Sequence, residues 1–117
     1  MLGAAENVGD LRILTQKLGA MSADEMRTLG DTLKDQLGDG LIVLASVNNG
    51  TVTLLAAATD GAVKRGAHAG NIIKAIAPLV RGGGGGRPNM AQAGGKDPSG
   101  IEEAFRKARE VFETQIG

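Results

Sequence analysis

The sequence has no cysteine, tryptophan or tyrosine, and phenylalanine only at Phe105 and Phe112. Without cysteine there can be no disulfide and no thiolate metal site, and a reducing compartment suits the chain. A single histidine, His68, excludes a histidine-cluster metal site as well. The scarcity of aromatics leaves the core to Leu, Ile, Val and Ala. It also removes the stacking platforms that readers of single-stranded nucleic acid use. No apolar run reaches the roughly 20 residues of a membrane-spanning helix, and the N-terminus lacks a basic stretch followed by a signal-type apolar core. A cytoplasmic protein without membrane contact is expected.

Catalytic signatures are missing too. No Ser–His–Asp pattern has credible spacing, and the acids are scattered over expected helices and turns, with no carboxylate pair beside the basic segment described below. No Gly-Lys-Ser or Gly-Lys-Thr completes a phosphate-binding loop, and no Gly-rich βαβ turn is followed by a ribose-binding acid. ATP and NAD are therefore not expected ligands, and the residues point to a binding module rather than an enzyme.

Net charge is zero, with 13 basic and 13 acidic residues, yet the charges are not evenly spread. Lys64, Arg65, Lys74, Arg81, Arg87 and Lys96 fall in a segment, residues 61–96, that contains no acid. A local field of one sign can steer an anion even on a neutral molecule.

What the chain has in excess is glycine, with five in succession at Gly82–Gly86. Arg81 and Arg87 bracket them, Pro88 fixes one φ angle, and Met90-Ala-Gln-Ala reads as an ordered strand. A flexible linker would be Gly/Ser-rich and lack that continuation. The run reads instead as a loop before the last strand, whose successive amides form a nest for phosphate oxygens, with two guanidiniums adding forked donors. Structured RNA, read by shape, phosphate and ribose hydroxyls, is the matching ligand class. Asn89 and Gln92 either reach bases and ribose or tie the loop to its own strand. His68 either touches phosphate or caps a helix, and Met90 reads as core.

At 117 residues the chain fits one domain. Residues 1–10 read as a flexible tail or the remnant of a preceding segment, and 11–117 as the globular unit. Leu11–Leu18 is expected to be a short edge strand. Ser22 and Glu25 have capping-box spacing; Met26, Leu29, Leu33 and Leu37 line one helical face, and Gly38 supplies a left-handed stop. The opposite face, with Arg27, Asp31, Lys34 and Asp35, reads as solvated surface. Leu41–Val47 is a buried central strand, and Asn48-Asn49-Gly50 turns it into the return strand Thr51–Ala58. A short helical turn holding Lys64 and Arg65 precedes a helix over 67–80, shortened or kinked by Pro78. A strand near Met90–Ala93 follows, then Asp97 capping a helix with Pro98 at its first position and an amphipathic face from Ile101 to Ile116. The sum is an α/β layered domain: a mixed sheet of about four strands with helices packed over it.

Gly84-Gly-Gly-Arg-Pro-Asn-Met-Ala-Gln-Ala-Gly-Gly95 closely resembles the signature GGGRPDMAQAGG of the C-terminal domain of alanyl-tRNA synthetases. Met26-Arg-Thr-Leu, Asp35-Gln-Leu-Gly, Leu41-Ile-Val-Leu-Ala-Ser-Val and His68-Ala-Gly-Asn-Ile-Ile are similar to it in the same order, so the likeness spans residues 11–115. The resemblance implies a DHH-associated domain that binds the elbow of tRNA and supports aminoacylation and editing by an ATP-dependent alanine–tRNA ligase. The glycine loop, Arg87, Gln92, Gly94 and Gly95 would line that surface, with Lys64, Arg65, His68, Lys74, Arg81, Asn89 and Lys96 around it. The parent's catalytic and editing domains would be partners. Zinc and ATP belong to those missing parts, and no cofactor is expected in this fragment. Asn89 replaces the family's usual Asp, and Arg81 and Gly83 shift an upstream positive charge by two residues. The alternatives are a substrate clamp of a DHH-family phosphoesterase, or a homodimerisation module using the apolar faces of its outer helices.

Overall fold

The apolar run at Leu41–Val47 forms the middle of a sheet covered on both faces. In the computed structural model, which describes residues 5–117, the elements run as follows. Strands β1 (Glu6–Val8) and β2 (Leu11–Leu18) precede helix α1 (Ala23–Leu37), strands β3 (Gly40–Asn48) and β4 (Thr51–Ala58), and helices α2 (Asp60–Lys64) and α3 (Ala69–Ile76). A 3₁₀ turn (Ala77–Val80), strands β5 (Gly83–Gly86) and β6 (Met90–Gly95), a second 3₁₀ turn (Pro98–Gly100) and helix α4 (Ile101–Ile116) complete the chain.

The sheet is ordered β1-β2-β3-β4-β6-β5, with β2 and β3 parallel and every other pair antiparallel. It has six strands rather than the four expected. The two additional strands, β1 and the all-glycine β5, have no apolar alternation from which to be recognised. Residues 6–8, expected in the tail, pair with β2, which makes β2 an inner strand instead of an edge. Part of the expected tail, residues 1–4, lies outside the described residues.

Alternation along β3 and β4 sends side chains to two cores. Leu14, Ile42, Leu44, Leu55 and Ala57 meet Met26, Leu33 and Leu37 of α1 on one face. On the other, Leu41, Val43, Leu54 and Ala56 meet Ile72, Ile73 and Ile76 of α3 and Ile101, Ala104, Ala108 and Phe112 of α4. The apolar faces of α1 and α4 are thus committed to the sheet, which removes the surface a dimerisation reading relied on. Leu79 is the one large exposed apolar side chain among the described residues.

Local signals explain the element ends. Glu25 N–H donates to Ser22 Oγ and Ser22 N–H to Glu25 Oε1, closing the capping box of α1. Gly38 ends that helix at φ 88°, ψ −124°, a positive-φ stop outside the left-handed helical well the sequence predicts. Asn49 (φ 52°) and Gly50 (φ 79°) form the tight β3–β4 turn. The helix expected over 67–80 is α for Ala69–Ile76 only. Pro78 has no N–H for the α ladder, so the chain tightens to 3₁₀ and stops at Arg81 in the left-handed region (φ 55°, ψ 50°). Asp97 caps the 3₁₀ turn through Ser99 N–H rather than α4 itself.

Thr59 joins the layers. Its buried hydroxyl accepts from Gly40 N–H (3.0 Å) and Ala62 N–H (3.2 Å) and donates to Asp39 Oδ1 (3.2 Å). Thr59→Ala strands both amides and is expected to cost about 1–3 kcal/mol in urea unfolding. Glu25 has its carboxyl held below the ordinary glutamate range by the Ser22 backbone and then side-chain hydrogen bonds. A depressed carboxyl stabilises the fold above its unfolded value and loses that contribution as pH falls through the folded value. Glu25→Gln is therefore expected to flatten the acid limb of a thermal stability–pH profile below about pH 4.5.

Candidate nucleic-acid interface

The glycine run is neither a loop nor a nest. Gly83–Gly86 is the outermost strand of the sheet, with Gly83 opposite Gly94, Gly84 opposite Ala93, Gly85 opposite Gln92 and Gly86 opposite Ala91. Its glycines answer to close packing. A Cβ on Gly84 would overlap the Gln92 carbonyl oxygen and come within 2.6 Å of Ala93 Cα; one on Gly82 would overlap the Gly94 carbonyl. A Cβ on Gly85 would sit 3.2 Å from Lys74 Cε, and one on Gly95 would overlap Val80. Only Gly83 faces open space. Being an edge, β5 has a strand neighbour on one side and leaves outward backbone groups for water or a ligand.

Helix α3 lies against this strand. Gly70 permits the approach, since a Cβ there would overlap the Gly86 carbonyl. The first amides of α3 are consumed in the same contact: Ala69 N–H donates to Pro88 O (2.8 Å) and Gly70 N–H to Arg87 O (3.1 Å). The turn 87–89 is pinned again from the sheet, where Ala58 N–H donates to Asn89 O (2.9 Å) and Arg87 N–H to Met90 O (2.9 Å).

The strand also separates the two arginines that flank it in sequence. Arg81 and Arg87 sit at opposite ends of β5, roughly 15–20 Å apart at strand rise, and cannot grip one phosphate together. Arg87 lies at the sheet end met by the start of α3 and its cap His68, while Arg81 and Lys96 occupy the other end; Lys64, the last residue of α2, and Arg65 lie on the side of the β1–β2 turn. Arg65 pairs with Asp10 at 3.7 Å. Lys64, Lys74, Arg81, Arg87 and Lys96 have no carboxylate within ion-pair distance among the described residues. Arg81 nonetheless adds to the field on Asp97, whose carboxyl is lowered chiefly by the Ser99 side-chain and backbone hydrogen bonds.

Two candidate contacts take internal roles. Gln92 Nε2 donates to Ala23 O (3.4 Å), tying β6 to the start of α1. His68 Nδ1 accepts from Asn71 N–H (3.0 Å) and caps α3. Asn89 is exposed beside Arg87. Met90, expected in the core, is half-buried and packs against the α1 side. Gly94 is exposed and Gly95 buried.

The structure adds a groove that the sequence did not disclose. The hairpin 85–92 and the outer face of α1 enclose an open channel of about 820 Å³, lined by Arg27, Lys34 and Arg87 together with Asp24 and Asp31. Its size suits a nucleotide-sized group. The acid-free character of residues 61–96 is thus diluted in space, because α1 brings two carboxylates beside Arg87. Nothing in the linear pattern could have shown this; the helix face met the strand only through packing. No group of three or more His, Cys, Asp or Glu gathers to hold a metal among the described residues.

Residues 10–114 match the model of the DHHA1 domain family. The chain belongs to that family. This DHHA1 domain is 55% identical over 109 residues to alanine–tRNA ligase 1 of Lachnoclostridium phytofermentans, covering 93% of the chain and 12% of the relative. It is 44% identical over its full length to alanine–tRNA ligase of Roseiflexus sp., covering 13% of that protein. The domain therefore spans about an eighth of the length of these relatives. Its fold matches the crystal structure of the C-Ala domain from Aquifex aeolicus alanyl-tRNA synthetase with a TM-score of 0.82 at 26% identity, over 97% of this chain and 98% of that one. The DHH domain of a member of a ribosomal-protein family shares the fold alone, at TM-score 0.63 and 18% identity over 29% of its length. The domain is thus the C-terminal, non-catalytic type carried by alanine–tRNA ligases.

Packing, rather than ligand approach, as the reason for most glycines of β5 has a direct check. Gly84→Ala is expected to lower urea stability by roughly 1–3 kcal/mol, whereas Gly83→Ala is expected to stay within about 0.5 kcal/mol of the parent domain.

Proposed function

We infer that this DHHA1 domain binds structured tRNA, engaging its elbow, and acts in the cytoplasm as an accessory to the aminoacylation and editing regions of an alanine–tRNA ligase. The observation that carries this reading is the set of cations that have no carboxylate partner among the described residues and border an open sheet edge: Lys74 laid along β5, Arg87 at one end, Arg81 and Lys96 at the other. Such a surface suits a phosphate backbone that passes along the edge, as opposed to one phosphate held in a cup. Identity of 44–55% with alanine–tRNA ligases supports tRNA as the RNA in question. ATP and zinc chemistry is assigned to other parts of such a ligase, and the site needs neither.

The affinity of the 117-residue chain for tRNA should fall with salt, and Lys74→Ala with Arg87→Ala together should reduce the log–log salt slope by about two. The pair Arg81→Ala and Lys96→Ala probes the far end of the strand in the same way. Filter binding at several salt concentrations measures both. Equal affinity for an unstructured polyanion such as polyphosphate would reduce the interaction to charge alone, and an unchanged slope in both pairs would move the surface elsewhere.

A further inference from the structure

The side chain of His68 caps α3 through its Nδ1. Asn71 N–H donates to its Nδ1, so that nitrogen must carry a lone pair, and the neutral ring bears its proton on Nε2. The backbone beneath the ring is clamped from α4: His68 N–H donates to Gln115 Oε1 (3.0 Å) and Gln115 Nε2 donates to His68 O (3.2 Å). Gly70 leaves room for the imidazole, because a Cβ there would lie 2.9 Å from His68 Cε1. The ring is therefore fixed in position and in tautomer beside the turn at Arg87 and Pro88.

Its Nε2 has no hydrogen-bond partner among the described residues, and no buried side-chain nitrogen or oxygen is left unsatisfied, so Nε2 opens to solvent. The amides at the start of α3 cannot serve an anion in its place. Those of Ala69 and Gly70 go to the turn, that of Asn71 to the ring, and that of Ile72 to His68 O. What remains at this end of the sheet is one oriented N–H with Lys64 close in the chain and Arg87 across the turn.

We propose that His68 Nε2–H donates a hydrogen bond to an RNA phosphate oxygen, with the α3 cap serving to hold the donor tautomer. The inference rests on the tRNA-binding reading and adds a neutral, directional contact to a surface otherwise made of point charges. A neutral donor releases no counterion, so its loss lowers affinity without changing the salt slope, unlike loss of Arg87.

The test uses His68→Asn. Asn is among the strongest N-caps and can accept from Asn71 N–H, but places no donor where Nε2 stands. Urea midpoint, tRNA affinity and salt slope are measured for the 117-residue chain and this variant. The expected result is an unchanged midpoint, an affinity lower by roughly fivefold to tenfold, as for one hydrogen bond, and an unchanged slope. Tight binding by a folded variant overturns the proposal. Should the variant fail to fold, the imidazole ¹⁵N spectrum of the unaltered chain decides: Nε2 protonated and shifted by added tRNA supports it, while Nδ1 protonated or Nε2 unmoved overturns it. Loss of His68 sensitivity with tRNA binding intact sinks this contact alone; no tRNA binding by the unaltered chain sinks the functional reading with it.

Discussion

The close approach of α3 to the glycine strand is the constraint on which the rest of the surface depends. The helix can come this near only without a Cβ at position 70, which would overlap the Gly86 carbonyl, and Gly70 meets that condition. The contact positions the Arg87–Pro88 turn, which receives the first amides of α3, and the turn in turn positions His68 and the mouth of the groove on the α1 side. Lys74 reaches across Gly85 because no side chain rises from the strand beneath it. Glycine here is a packing residue whose consequence is a flat edge bordered by cations.

That edge would be a hazard in most proteins, since an open strand invites pairing with another chain. Here like charges guard it. Arg81 and Arg87 stand at its ends and Lys74 along it, so antiparallel pairing of two copies would bring guanidiniums towards one another. An extended polyanion meets the opposite balance: the same charges attract it. One arrangement of charge thus acts in opposite senses on a second copy of the strand and on a polyanion.

Much of the architecture was legible in the chain. The capping box at Ser22–Glu25, the Asn-Gly turn and the alternating or continuous apolar runs are local signals, and each appears where its spacing predicts. The two outer strands, β1 and β5, have too little hydrophobic pattern to signal themselves and owe their state to pairing with β2 and β6. The tertiary environment overrode propensity there, as glycine alone disfavours a strand. The site divided in the same way. The basic residues were visible as a cluster, but Arg65 found Asp10, Gln92 found Ala23, and Arg81 and Arg87 were placed at opposite ends of one strand.

By itself the sequence determined the two-faced central hairpin, the capped start of α1 and the family, since these rest on short-range spacing and on a long matching string. Which amides remain open, which cations have no carboxylate partner among the described residues, and how Gln115 clamps the backbone of His68 were decided only by tertiary structure. Each of those depends on atoms brought together from distant parts of the chain, and hydrogen bonds and ion pairs act over a few ångströms of space whatever the separation in sequence.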